Sequence, residues 1–231
     1  MKVKIIGTTI IAAVLIVWLV YSHNTPTSAP VPTVPSQGSS AIIPNVESSG
    51  DSSGVTLPPS TLPIGKDGLI KAVIPQNLFG GEDKTAEDYV KEYQDEPNAT
   101  ELITSVTSNN DGTVTMIFTP AQLEQFRENI YNNAQFQGSN IETIKDVRYE
   151  DDMLTKITVS IDLNSDKQSG IGNGLEWQMS HSLLAIMAGT YQVLSGTPPD
   201  DWHTTITIKD ADTGKVISTT DYPNPNMYDA S

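Results

Sequence analysis

The side chains best suited to chemistry in this chain are carboxylates, a glycine run and two histidines, and each has a spacing that its chemistry would require. Asp162-x-Asn164-x-Asp166 opens as a calcium loop opens, with oxygen ligands at alternate positions that can wrap a hard cation. Its continuation breaks that pattern. Lys167 stands where glycine makes the sharp turn, Asn173 stands where a bidentate carboxylate closes the site, and a strand precedes it. Asp162, Asn164 and Asp166 are therefore weak metal candidates, and neither a metal nor a cofactor is expected. Gly170-Ile171-Gly172-Asn173-Gly174 lies between a strand and a helix, where a phosphate-cradling loop would lie, but Leu175 occupies the place of the third glycine. A loose entry to the following helix accounts for these glycines better.

The histidines are His23, His181 and His203, and no H-x-x-x-H or H-E-x-x-H pair exists to form a zinc face. Ser180 and Ser182 flank His181, yet neighbours on a helix point in different directions and cannot form a nucleophile–base pair. A nucleophile elbow of the G-x-S-x-G kind is missing. Acidic pairs recur at Glu82-Asp83, Glu87-Asp88, Glu150-Asp151-Asp152 and Asp200-Asp201, but nothing in the spacing selects two that would face each other across a cleft. Asn98-Ala99-Thr100 matches the N-glycosylation pattern and carries no weight by itself. No catalytic residue is expected.

The elements that would hold these residues can be read from periodicity and turn chemistry. Leu69–Pro75 reads as a short strand ended by Pro75. Thr85 reads as the N-cap of a helix, with Asp88 three residues on and Tyr89, Val90 and Tyr93 on one face. Leu102–Thr107 and Thr113–Phe118 form a hairpin around Asn109-Asn110-Asp111-Gly112. Thr119, Pro120 and Gln122 then start a second helix, with Leu123, Phe126, Ile130 and Ala134 as its buried stripe. Thr143–Tyr149 and Leu154–Ile161 make another hairpin. A third helix runs from about Leu175 to Leu194, with Leu175, Met179, Leu183, Met187, Tyr191 and Leu194 inward, and Gly196, Pro198 and Pro199 stop it. Thr204–Lys209 and Lys215–Thr220 close the series as a last hairpin. The expectation is an α+β fold: one mainly antiparallel sheet of about seven strands built from hairpins, with about three helices packed on one face.

Composition divides the chain further. Residues 1–21 read as an N-terminal transmembrane signal-anchor helix, 22–65 as a disordered Pro/Ser/Thr/Gly-rich linker, 66–225 as the folded domain and 226–231 as a loose tail. Ile5–Tyr21 is an uncharged apolar run near the short limit for a span; Lys2 and Lys4 can snorkel to one interface while Trp18 and Tyr21 suit the other. No Lys or Arg follows until Lys66, so the positive-inside bias puts the N-terminus in the cytoplasm and the domain outside, single-pass. A cleaved signal peptide is the competing reading, but Pro30 directly after Thr27-Ser28-Ala29 disfavours processing there. The net charge of −15 lies almost wholly in the domain, which excludes nucleic acid as a partner and leaves cationic partners open. The absence of cysteine removes disulfides, thiolate nucleophiles, Cys-ligated zinc and lipidation at Cys.

Three stretches, NNDGTVTMIFTPAQLEQF, ETIKDVRYEDDMLTKITVSID and MAGTYQVLSGTPPDDWHTTITIKDADTGKVISTTDYPNP, together resemble a family of small surface lipoproteins and membrane-anchored proteins of Gram-positive, often gut-dwelling, bacteria, loosely labelled after the N-terminal domain of a streptococcal surface antigen. The motifs are the N-D-G-[ST]-V-T turn and a D-x-x-T-G-x-V-x-[DS]-T ending, matched by Asp210, Thr213, Gly214, Val216 and Thr219. The resemblance implies an extracytoplasmic location and no activity. It departs at the lipidated cysteine by which many members attach. The expected function is a non-catalytic surface module binding an envelope protein, a peptide or a wall component, of undetermined oligomeric state. A carboxylate-based envelope hydrolase and a sensory ectodomain acting through a membrane partner are the alternatives.

Overall fold

The computed structural model describes residues 57–80, 84–95, 99–137, 144–163 and 175–224. Among them lie seven strands: β1 (Ile70–Ile74), β2 (Ser105–Ser108), β3 (Val114–Phe118), β4 (Ile144–Tyr149), β5 (Lys156–Ile161), β6 (Thr204–Asp210) and β7 (Val216–Tyr222). The helices are α1 (Ala86–Asp95), the single turn α2 (Ala99–Leu102), α3 (Pro120–Gln137) and α4 (Leu175–Ser195). The fold is α+β.

Local chemistry sets several boundaries as expected. Thr85 and Asp88 cap α1 reciprocally, the Asp88 amide donating to Thr85 Oγ1 and the Thr85 amide to Asp88 Oδ2, both at 3.1 Å. Thr119 and Gln122 repeat the device on α3, at 2.9 and 3.2 Å, with Pro120 at the first helical position where no amide is needed. The stripe Leu123, Phe126, Ile130 and Ala134 is buried. The hairpins β2–β3, β4–β5 and β6–β7 are all antiparallel pairs. Leu102 departs from the expected strand by ending α2.

The sheet differs from the expectation. The strands form two sheets, β1-β3-β2 and β4-β5-β6-β7, and β5 pairs with β6 in parallel. The cause is α4. A helix apolar on one stripe can lie on one sheet, but Leu184 to Ala188 are buried in succession, as are Tyr191 to Ser195, so this C-terminal part of α4 is covered all round. It packs on β1 of the first sheet, on β6 of the second and on α3. A helix joining β5 to β6 is also the crossover that parallel pairing needs. Helices packed on one face of a single sheet could not bury it.

Residues 57–65, placed by composition in the linker, run along this body. Leu57 and Leu62 pack against the core, and Ile64 bridges to Ile70. Ile5–Tyr21, with its flanking Lys2 and Lys4 and its Trp18 and Tyr21, lies outside the described residues, as do 22–56 and the tail 226–231. No helix among the described residues is long and apolar enough to cross a membrane.

Candidate functional site

Asp162 follows β5 and pairs with Lys145 at 3.6 Å, while Asn164 and Asp166 lie outside the described residues. No group of acidic or histidine side chains able to hold a metal occurs among the described residues. The glycine run Gly170–Gly174, Glu82-Asp83 and Asn98 also lie outside them.

The acidic runs are drawn into turns. Asp151 accepts hydrogen bonds from the Met153 and Thr155 amides and the Thr155 hydroxyl at 2.7 to 3.0 Å, and Glu150 accepts from the Thr158 hydroxyl at 3.0 Å. Partial burial pushes the Asp151 carboxyl up, but these donors outweigh burial and hold it below its ordinary value. Asp111 is held low by the Thr113 hydroxyl and amide, Asp210 by the Thr213 amide and hydroxyl, and Asp88 by the Thr85 hydroxyl and amide. A general acid would need the opposite shift.

His181 sits on α4 against β7, where its Nδ1 shares a hydrogen bond with the Tyr222 hydroxyl. Burial pushes its pKa down to about 4, so the ring is neutral at physiological pH. His203 is exposed beside the buried Trp202. The two histidines therefore occupy different settings, one inside the packing and one at the surface.

The most developed polar arrangement is one that spacing did not single out. Arg127 on α3 is fully buried. Its Nε donates to Ser195 Oγ at 3.1 Å, Nη1 to Glu124 Oε2 at 2.7 Å and Nη2 to the Pro58 carbonyl at 2.6 Å, and its guanidinium lies 5.3 Å from the centre of the Tyr191 ring. Three acceptors and an aromatic face compensate this buried cation, and one of those acceptors is main chain of the 57–65 segment. The same segment continues onto the C-terminus of α4: the Ser60 hydroxyl donates to the Leu194 carbonyl at 2.7 Å, and the Thr61 amide and hydroxyl to the Ser195 carbonyl at 3.0 and 3.2 Å. The last carbonyls of a helix have no partner within it, so the strap serves as a cap.

Gly196 makes the close approach possible. It has φ +111°, and a Cβ there would lie 1.9 Å from Thr61 Oγ1. The helix ends through Thr197 N–H to Gln192 O at 3.0 Å and Gly196 N–H to Val193 O at 3.1 Å, a Schellman pair. The signal for this site was present in the sequence: Arg127 falls at helical spacing from Leu123, Ile130 and Ala134, inside the apolar stripe, where an unpaired cation would be costly.

Comparison with family models gives no match for this chain, and comparison with curated proteins and with solved structures gives none either.

Proposed function

We propose that this chain is a membrane-anchored extracytoplasmic protein whose α+β body is a non-catalytic binding module, with Ile5–Tyr21 as the anchor, the N-terminus in the cytoplasm and the body outside. The observation that carries the reading is the strap: the segment leading from the N-terminal region into the body is clamped onto the core by a buried arginine and two helix-end carbonyls. That is a firm joint between tether and body. The lowered carboxyls add support, since Asp88, Asp111, Asp151 and Asp210 are committed to caps and turns. The net charge of −15 favours a cationic partner, such as a basic envelope protein or peptide. The resemblance to surface proteins of Gram-positive bacteria supports the same location.

Two experiments test this. Protease added to intact cells or spheroplasts should remove the body, and survival of the body while outer-surface controls are cleaved refutes the orientation. Residues 57–231, immobilised and exposed to envelope material from the same cells, should retain a basic component that elutes with salt. Reproducible failure to retain any component refutes the binding module.

A further inference from the structure

The strap carries a pattern that occurs once more in the chain. Pro58, Thr61, Leu62 and Pro63 have counterparts at identical spacing in Pro30, Thr33, Val34 and Pro35, giving Pro-x-x-Thr-apolar-Pro twice. These positions supply three of the five hydrogen bonds that hold the strap on α3 and α4, and Ser60 supplies the other two. The Pro58 position supplies a main-chain carbonyl to Arg127, and the Thr61 position supplies an amide and a hydroxyl to the Ser195 carbonyl. Leu62 packs against the core, a place that Val34 fits. Two prolines fix φ near the extended range, so either segment meets the site with little further ordering.

We propose that Arg127, Leu194, Ser195 and Gly196 form a docking site for extended Pro-x-x-Thr-apolar-Pro segments, and that Ala29–Ser36 of the same chain is its second occupant, exchanging with Leu57–Ile64. The differences rank the two. Pro32 stands where Ser60 donates to the Leu194 carbonyl, and Ala29 stands where Leu57 packs on the core, so the upstream segment makes fewer contacts. Ser36 in place of Ile64 loses little, since Ile64 is 62% exposed. Leu57–Ile64 is the resident and Ala29–Ser36 the competitor.

The exchange moves the point at which the tether joins the body. As a flexible coil the chain between Tyr21 and Pro58 spans roughly 35 Å, and that between Tyr21 and Pro30 roughly 16 Å. Where the apolar run holds the membrane, exchange draws the body toward it. This consequence rests on the function proposed above, whereas the exchange itself does not and is measured without a membrane.

The chain has no cysteine, so introduced pairs report alone. Glu128 is exposed and lies one turn beyond Glu124 on the same face of α3, and Glu128→Cys leaves the carboxylate partner of Arg127 in place. In the full-length protein in detergent, Glu128→Cys is paired with Ser60→Cys, Pro32→Cys or Ser48→Cys and treated with a short bismaleimide. Ser60→Cys reports the resident strap, and circular dichroism verifies that each background is folded. Ser48 is nearer to the body along the chain than Pro32, so without recognition its cysteine reacts faster. Recognition reverses that order, with Pro32→Cys cross-linking about fivefold faster than Ser48→Cys. Thr61→Pro, which removes the amide and hydroxyl donors of the resident, raises the Pro32→Cys rate by about tenfold, and adding Thr33→Pro returns it to the Ser48→Cys level. The proposal is overturned if Pro32→Cys is no faster than Ser48→Cys, if Thr61→Pro leaves its rate unchanged, or if its cross-links join two chains. The protease test of orientation is independent of all three outcomes.

Discussion

Replacing Gly189 by alanine tests how α4 is packed, because two effects of opposite sign compete at that residue. Glycine inside a helix costs about 0.8–1.0 kcal/mol relative to alanine, so propensity alone predicts that Gly189→Ala stabilises the protein. The surroundings predict the reverse. A Cβ at Gly189 would lie 2.7 Å from Leu78 Cδ2 and 2.7 and 2.8 Å from Trp202 Cε3 and Cδ2. Carbon atoms sit best at about 3.5–4.0 Å, so the new methyl group enters the repulsive wall on two sides. Leu78 could rotate, but Trp202 is buried and its indole N–H donates to Asn77 Oδ1 at 3.3 Å, so the ring has little room to retreat. Overpacking of this kind costs about 1–3 kcal/mol.

Contact on two sides puts the steric cost in the upper part of that range, about 2–3 kcal/mol, so after the propensity gain a net loss of about 1–2 kcal/mol is expected, a fall of about 2–8 °C in Tm for a domain of this size. Denaturant titration followed by tryptophan emission measures it, with circular dichroism as a second signal for two-state behaviour. A Gly189→Ala protein as stable as the parent, or more stable, would falsify the close approach of Trp202 to α4.

Other perturbations separate the remaining contacts. Gly196→Ala combines strain at φ +111° with a clash against Thr61, so the strap should lift and proteolysis between residues 57 and 65 should accelerate while α3 and α4 stay protected. Arg127→Met removes a buried cation together with its desolvation cost; strap release is therefore expected with little loss of global stability, and an unfolded Arg127→Met protein would count against the clamp. Thr119→Ala should cost about 1 kcal/mol by opening the cap of α3, read by denaturant midpoint. The buried, neutral His181 has a folded pKa below its unfolded value, so the unfolded chain binds the extra proton between about pH 6.5 and 4. Stability should fall across that window as pH drops. His181→Gln should flatten this window and leave the further loss below about pH 4, where the lowered carboxyls are titrated, unchanged.

What could be read from sequence was what short-range chemistry decides. Thr85 with Asp88 and Thr119 with Gln122 are capping boxes whose partners lie three residues apart, and Asn109 to Gly112 closes a hairpin by its own turn geometry. The division into two sheets was not legible in this way. It follows from α4 being buried on every side along Leu184–Ala188 and Tyr191–Ser195, and a sequence read for one apolar stripe, Met187, Tyr191 and Leu194, passes over Ala185, Ile186, Ala188 and Val193 on the other faces. The parallel pairing of β5 with β6 is a consequence of the same helix, because hairpin turns alone cannot produce it. The strap was missed for a different reason. Pro58, Pro59, Ser60 and Pro63 have the composition of a linker, while what fixes them is a buried guanidinium far along the chain.

The site of attachment also bears on how the body would carry load. A tether leaving from an edge strand such as β7 would peel one ladder at a time, because among the described residues β6 is the one strand paired with it. Here the entering chain is bound to Arg127 of α3 and to the last carbonyls of α4, the helix that touches both sheets. Force on the N-terminal side therefore reaches the centre of the packing before it reaches any strand, and the contacts that must yield first are the Pro58, Ser60 and Thr61 hydrogen bonds. Those are the bonds that Gly196→Ala and Arg127→Met weaken. A pulling experiment from residue 57 should accordingly show a small early release, absent in the Arg127→Met protein, ahead of cooperative unfolding; an identical trace for the two proteins would place the strap outside the load path.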